Sequence, residues 1–221
     1  MEIWAHRGFT TEAVAENTLE SIKHALSEGA SHITCDVREC GSGELVLMHD
    51  PTLWRTDHKF IPISSTTLNE LNEKCSYEIV TIQNVLELCA ERASLLINLK
   101  GESFLKTSLE KKVIKEIEGY KSNVTVSSNS ITTLAKIYSK CPNIKTTLNI
   151  TSGEFIKKAI GNILFINSLY FDRKNISNRK LKNMVRKNID VYVGVISSPL
   201  EAEELAVIGV KGVYTNNKNL I

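Results

Sequence analysis

The chain has almost no excess of charge of either sign: 27 Lys and Arg stand against 25 Asp and Glu, a formal net charge of +2. So even a balance gives no electrostatic reason to look for a nucleic acid or an anionic membrane as partner. Cysteine is sparse and unpatterned. Cys35, Cys40, Cys75, Cys89 and Cys141 are odd in number and form no CxxC pair. That spacing supports neither a disulfide framework nor a zinc knuckle, and points to reduced thiols used as small apolar residues in a reducing cytoplasm. Long apolar runs are missing too. Stretches such as ASLLI fall far short of a membrane span, and no basic segment followed by an apolar one opens the chain. There is no low-complexity tract and no repeat of readable period. A soluble cytoplasmic protein is expected. With 42% hydrophobic and 24% charged residues over 221 positions, it has material for a sizeable core.

What the sequence does have is alternation. Eight short β-branched or apolar runs read as strands: EIWAH (2–6), HITCDV (32–37), SLLINL (94–99), NVTVSS (123–128), IKTTLNI (144–150), SLYF (168–171), DVYVGVI (190–196) and GVYT (212–215). Helical patterns lie between them. In ENTLESIKHALSEG, Leu19, Ile22 and Leu26 share a face, Asn17 is placed to cap with Glu20 three residues on, and Gly29 sits where a terminating glycine belongs. Over 102–119, Leu105, Leu109, Val113 and Ile117 repeat every four residues. Strands and helices alternating without a linker predict an α/β protein, a closed (β/α)8 TIM barrel, as a single domain over residues 1–221. A doubly wound open sheet is the alternative. The segment 41–81 breaks the rhythm: ELVLMHD reads as an extra strand and the rest as a long decorated loop, expected on the catalytic face.

Two histidines stand at strand ends, His6 before Arg7-Gly8 and His49 before Asp50-Pro51. A lone histidine in such a place is more often structural. Two, each beside a charged neighbour, suit the cleavage of a phosphodiester, which needs one group to take a proton from the nucleophile and another to protonate the leaving alcohol. Arg7 can fork onto two phosphate oxygens, and Gly8 lets backbone approach a ligand.

The run AHRGFTTEAVAENTLESIKHALSEGASHITCDVRECGSGELVLMHDPTLWRT, residues 5–56, resembles the opening of the glycerophosphodiester phosphodiesterases. The likeness continues more weakly through TIQNVLELCAER and LLINLK to IGVKGVYT. It implies a barrel in which His6 and His49 are general base and general acid, in either order, and Arg7 binds phosphate. It also implies a divalent ion, calcium or magnesium, held by Glu and Asp of an ExD strand and Glu of an ExK strand. Here the sequence departs from that family's pattern. The ExD strand is Thr34-Cys35-Asp36 and the ExK strand is Asn98-Leu99-Lys100, so only Asp36 remains of three carboxylates. Metal binding is expected to be weak or absent, with no cofactor certain. Lys100, freed of a neighbouring Glu, is placed to neutralise phosphate beside Arg7. Glu102 as a substitute ligand is less favoured than a solvent-facing residue in the first turn of a helix. Glu16, in the family's ENT motif, is grouped with the substrate-binding residues, a plain helix start being an equal reading. Gly194, Ser197 and Asn216 replace the family's Trp, Asn and Asp, so the pocket floor is rebuilt. The basic run 172–188 lacks interleaved aromatics and reads as a solvated helix face.

Two functions follow. The first is a phosphodiesterase that cleaves a glycerophosphodiester or related small-molecule diester by His/His acid–base catalysis with little or no metal. The second is a catalytically silent family member that binds a phosphorylated ligand or a protein. Oligomeric state is not legible.

Overall fold

The computed structural model describes residues 1–101, 109–150 and 164–221. Each predicted run forms a strand: β1 (Glu2–His6), β2 (His32–Glu39), β4 (Ser94–Leu99), β5 (Val124–Ser128), β6 (Lys145–Ile150), β7 (Ser168–Asp172), β8 (Asp190–Ile196) and β9 (Gly212–Thr215). These pair in parallel from β1 through β9, β8, β7, β6, β5 and β4 to β2, and β1 also pairs with β2. Ala5↔Ile33 and Ala5↔Thr215 put β1 between its two neighbours, so the sheet closes and the open-sheet alternative falls. Strand β2 runs two residues past its predicted end. The cause is β3 (Leu45–Leu47), which returns antiparallel against Val37, Arg38 and Glu39 and supplies their ladder partners.

Side chains alternate across each strand, and the sequence sorts itself accordingly. Ile33, Cys35 and Val37 of β2 and Leu95, Ile97 and Leu99 of β4 join the main apolar core, together with helix residues such as Ile22, Val85 and Leu134. Their alternates face the barrel axis. There Trp4, Leu96, Tyr192 and Tyr214 make a small inner cluster, and polar residues such as Asp36, Asn98 and Asn149 line a cavity above it.

Helix α1 (Leu19–Ser27) corrects one expectation. Its cap is Thr18, which accepts from Ser21 N in a reciprocal capping box, rather than Asn17. Asn17 has a left-handed φ of 57° and turns its side chain away, toward β2. Gly29, with φ 94°, follows the helix as expected. Of the 102–119 repeat, Leu109, Val113 and Ile117 are buried, whereas Leu105 and Glu102 lie outside the described residues.

The excursion 41–81 is more ordered than a loop. After β3 it forms α2 (Trp54–Asp57), a 3-10 turn (Ile63–Ser65) and α3 (Leu68–Lys74). A separate apolar core of Cys40, Val46, Met48, Leu53, Ile63, Leu71 and Ile79 holds these together. The five cysteines are free thiols. Among the described residues no helix is long and apolar enough to cross a membrane.

Candidate active site

Chain direction puts the carboxyl ends of all eight parallel strands at one mouth of the barrel, where this fold carries its chemistry. The mouth holds a cavity of about 480 Å³ lined by His6, Arg7, Asp36, His49, Asn98 and Lys100, among others. Residues 6 to 100 in sequence thus meet in one space. Thr34, at the position of the missing first carboxylate, also lines it, and accepts from Arg7 N through its carbonyl at 2.9 Å. Glu16 is not among the lining residues.

The first loop is built for close approach. Arg7 and Gly8 both have positive φ, 63° and 77°, which folds the chain back over α1. The Ser21 hydroxyl donates to the Arg7 carbonyl at 3.0 Å, and a Cβ on Gly8 would stand 2.4 Å from the Ser21 carbonyl carbon. Only glycine fits there.

Asp36 is the centre of the electrostatics. It is 3% exposed and both of its oxygens are engaged. Arg7 Nε lies 2.7 Å from Oδ2, and Asn17 Nδ2 donates to the same oxygen at 3.3 Å. On the other side Asn98 Nδ2 donates to Oδ1 at 2.7 Å, with Lys100 Nζ at 3.4 Å. Asn17 Oδ1 in turn accepts from Asp36 N, and Asn149 Nδ2 donates to Asn98 Oδ1 at 2.8 Å. That last bond orients the Asn98 amide with its nitrogen toward Asp36. Burial alone pushes the Asp36 carboxyl up, but Lys100, Arg7, His49 and His6 outweigh it and hold it well below the ordinary carboxylate range.

This donor set does not fit a carboxylate-held divalent ion. A cation at Asp36 would meet an amide nitrogen and an ammonium, and the described residues contain no group of three or more His, Cys, Asp or Glu side chains suited to a metal.

The two imidazoles sit in different surroundings. His6 Nδ1 lies 3.2 Å from Asn216 Oδ1, and burial and then Arg7 push its pKa down to about 4. His49 Nδ1 lies 2.8 Å from Asp50 Oδ1. Its pKa is lowered by burial, and the Asp36 charge opposes that shift. With each Nδ1 assigned as the donor to its partner oxygen, both Nε2 atoms keep a lone pair. Lys100 is drawn down by burial, with Asp36 again opposing.

A chain of ion pairs joins the two histidine loops. Glu16 Oε1 takes Arg7 Nη1 at 2.8 Å and Arg55 Nη2 at 2.5 Å, and Arg55 Nε reaches Asp50 Oδ2 at 2.5 Å. Glu16 therefore bridges two arginines. Burial pushes its carboxyl up, but those arginines prevail and hold it below the usual value.

Sequence reasoning missed Arg38, Asn149, Tyr170 and Tyr214, all on the cavity wall. Arg38 donates from Nε and Nη2 to the His49 carbonyl at 3.0 and 2.8 Å, and from Nη1 to the Lys100 carbonyl at 3.2 Å. One guanidinium thus pins both chain segments to β2. The Tyr170 and Tyr214 rings stack 4.6 Å apart at 13°, and Tyr214 continues to the His6 ring at 6.5 Å and 18°. Period-two counting could have found them, since Thr34, Asp36 and Arg38 alternate along β2 just as Asn98 and Lys100 do beyond Leu96.

A closed (β/α)8 barrel, with two imidazoles, Arg7 and Lys100 gathered around one carboxylate at its mouth, defines the class of the fold, a TIM barrel. The chain matches the model of the Glycerophosphoryl diester phosphodiesterase family over residues 6–220 and belongs to that family. It is 27% identical over 226 residues to a glycerophosphodiester phosphodiesterase of Caldanaerobacter subterraneus, spanning 96% of this chain and 93% of that one. Among solved structures, an Oleispira antarctica phosphodiesterase in complex with the product sn-glycerol-3-phosphate superposes with a TM-score of 0.88 at 21% identity, covering 100% of this chain and 95% of that one. A Thermotoga maritima glycerophosphodiester phosphodiesterase gives a TM-score of 0.83 at 22% identity, covering 99% and 95%. At such identities these structures speak for the fold.

Proposed function

We propose that this protein cleaves a glycerophosphodiester or a closely related diester, with His6 and His49 as the acid–base pair and with Lys100 and Arg7 in the place of a divalent ion. The phosphate lies at the barrel mouth between the guanidinium and the ammonium, which neutralise its oxygens by charge-assisted hydrogen bonds. His6 is the more strongly depressed imidazole, held near 4, and so stays neutral on the acid side of 6.5 where His49 can still take up a proton, which suits the base. It takes the proton of water or of a substrate hydroxyl as that oxygen attacks phosphorus. His49, whose Nδ1–H is held by Asp50, carries a second proton on Nε2 and hands it to the departing alkoxide as the P–O bond breaks.

The observation that carries the reading is the occupation of Asp36 Oδ1 by Asn98 Nδ2 and Lys100 Nζ. Phosphorus-31 NMR of glycerophosphodiesters, with calcium, with magnesium and with excess EDTA, tests it. Cleavage unchanged by EDTA is expected, together with a loss of about 10²-fold or more in Lys100→Ala, the scale of a lost preorganised charge contact. Cleavage that EDTA abolishes and calcium restores refutes the replacement of the ion. A rate indifferent to both His6→Ala and His49→Ala refutes the acid–base pair.

A further inference from the structure

Arg38 follows Thr34 and Asp36 on the face of β2 that lines the cavity. At this level β2 is flanked by β3 on one side and β4 on the other, with Val37 in register with both Leu47 and Leu99. Those two strands stop there. Met48 N still donates to the Asp36 carbonyl and Lys100 N to the Val37 carbonyl, each at 2.9 Å. His49 and Lys100 thus stand where the chain leaves the sheet on either side of β2, and the guanidinium of Arg38 reaches the carbonyls of both.

We propose that Arg38 is a positioning residue for the reaction, holding the general acid and the phosphate-binding ammonium at a set distance from each other and from Asp36. This role rests on the reading of His49 and Lys100 given above. Nε and Nη2 converge on the His49 carbonyl at 3.0 and 2.8 Å, and Nη1 donates to the Lys100 carbonyl at 3.2 Å. The His49 carbonyl belongs to the peptide that leads into Asp50, whose carboxylate holds the imidazole through Nδ1. Fixing that peptide therefore fixes the ring and its partner together. On the other side, Lys100 Nζ reaches Asp36 Oδ1 at 3.4 Å from a backbone held beside Val37. A planar, rigid fork can span the two chain segments, whereas an ammonium is a single point with no plane to set their separation. A neutral amide would spare the site a third cation beside Arg7 and Lys100, but it reaches one carbonyl only. Each of the three nitrogens already meets a backbone carbonyl, so Arg38 acts on substrate through His49 and Lys100.

The leaving group separates this role from a merely structural one. A p-nitrophenolate departs without a proton, whereas an alkoxide needs the acid. Turnover of glycerophosphocholine and of the p-nitrophenyl ester of glycerol phosphate is compared in the wild type, Arg38→Lys, His49→Ala and Lys100→Ala. In Arg38→Lys the alkyl ester is expected to lose about 10²-fold in kcat, the scale of a displacement near ~1 Å, and the aryl ester only about tenfold. A ratio of the two esters on one preparation cancels any misfolded fraction. Arg38→Lys should also add little to Lys100→Ala, because the guanidinium acts through that ammonium. Equal losses on the two esters, or full additivity with Lys100→Ala, overturn the proposal. If Arg38→Lys does not fold, Arg38→Gln takes its place with the same expectations. If the wild type cleaves neither ester, or His49→Ala treats the two alike, the reading of the reaction fails instead, and calorimetry with glycerol 3-phosphate decides Arg38. A loss of affinity in Arg38→Lys that vanishes in the Lys100→Ala background upholds its hold on Lys100; a loss that persists there, or no loss, overturns it.

Discussion

At the scale of single residues, the site is governed by how its charges were desolvated. His6 is held near pKa 4 against an ordinary 6.5, and His49 is lowered as well. In the free enzyme kcat/KM should therefore form a bell whose optimum lies on the acid side of 6.5, with the acid limb near 4 belonging to His6. A pH–rate profile checks this, and an optimum well above 7 would contradict the assignment. Stability carries the same sign. A histidine with a depressed folded pKa binds fewer protons in the native state than in the unfolded one, so stability falls as pH drops from 6.5 toward 4. Asp36 adds a second loss lower down: its stabilisation is complete above its ordinary 3.8 and disappears as pH falls through its lower folded value. Urea titrations at several pH values should show both slopes, and His6→Ala should flatten the upper one.

Legibility at this scale was uneven. The residues His6, Arg7, His49 and Lys100 could be read because each carries chemistry in its own side chain and sits at a strand end. Asn17 was misread as a cap because its value lies in reaching Asp36, 19 positions away. Arg38 escaped notice because its partners are backbone carbonyls 11 and 62 positions distant, and a carbonyl leaves no mark in a sequence.

Among elements, the join between β1 and α1 is the tightest. Gly8→Ala would force a Cβ into the Ser21 backbone at a φ of 77°, where no flexible side chain can give way. We expect it to destabilise by more than the ~1 kcal/mol that an unstrained Gly→Ala replacement gains and to displace Arg7 from the cavity. Circular dichroism melts and phosphate binding should fall together. The strands were legible because each is a dense β-branched run, and β2 overran its expected end only because β3 offered partners. The excursion was not, because helices of four and seven residues are too short to display a period.

At the scale of the whole molecule the described residues hold, besides the small cluster on the barrel axis, two hydrophobic cores of unequal size, the barrel's and the excursion's. The smaller one packs beneath the chain that carries His49, Asp50 and Arg55. Leu71, fully buried there, should cost about 2–5 kcal/mol when replaced by alanine. The loss should be local: hydrogen exchange over 45–80 should quicken and turnover fall, while the barrel strands keep their protection. Equal acceleration throughout would mean that the two cores open as one. Closure of the barrel followed from counting eight strands. The second core did not, since its members are scattered from 40 to 79 with no common spacing.

The chain has two tryptophans, and they fall on opposite sides of this division. Trp4 is 4% exposed among the tyrosines of the barrel axis, whereas Trp54 is 48% exposed in the excursion, stacked on Phe60 at 4.3 Å. Their emission should separate accordingly, blue and shielded from iodide for the first, red and readily quenched for the second. Trp4 thus reports on the barrel axis and Trp54 on the surface of the excursion in native fluorescence, and the motion of the His49 loop can be followed during turnover without attaching a label.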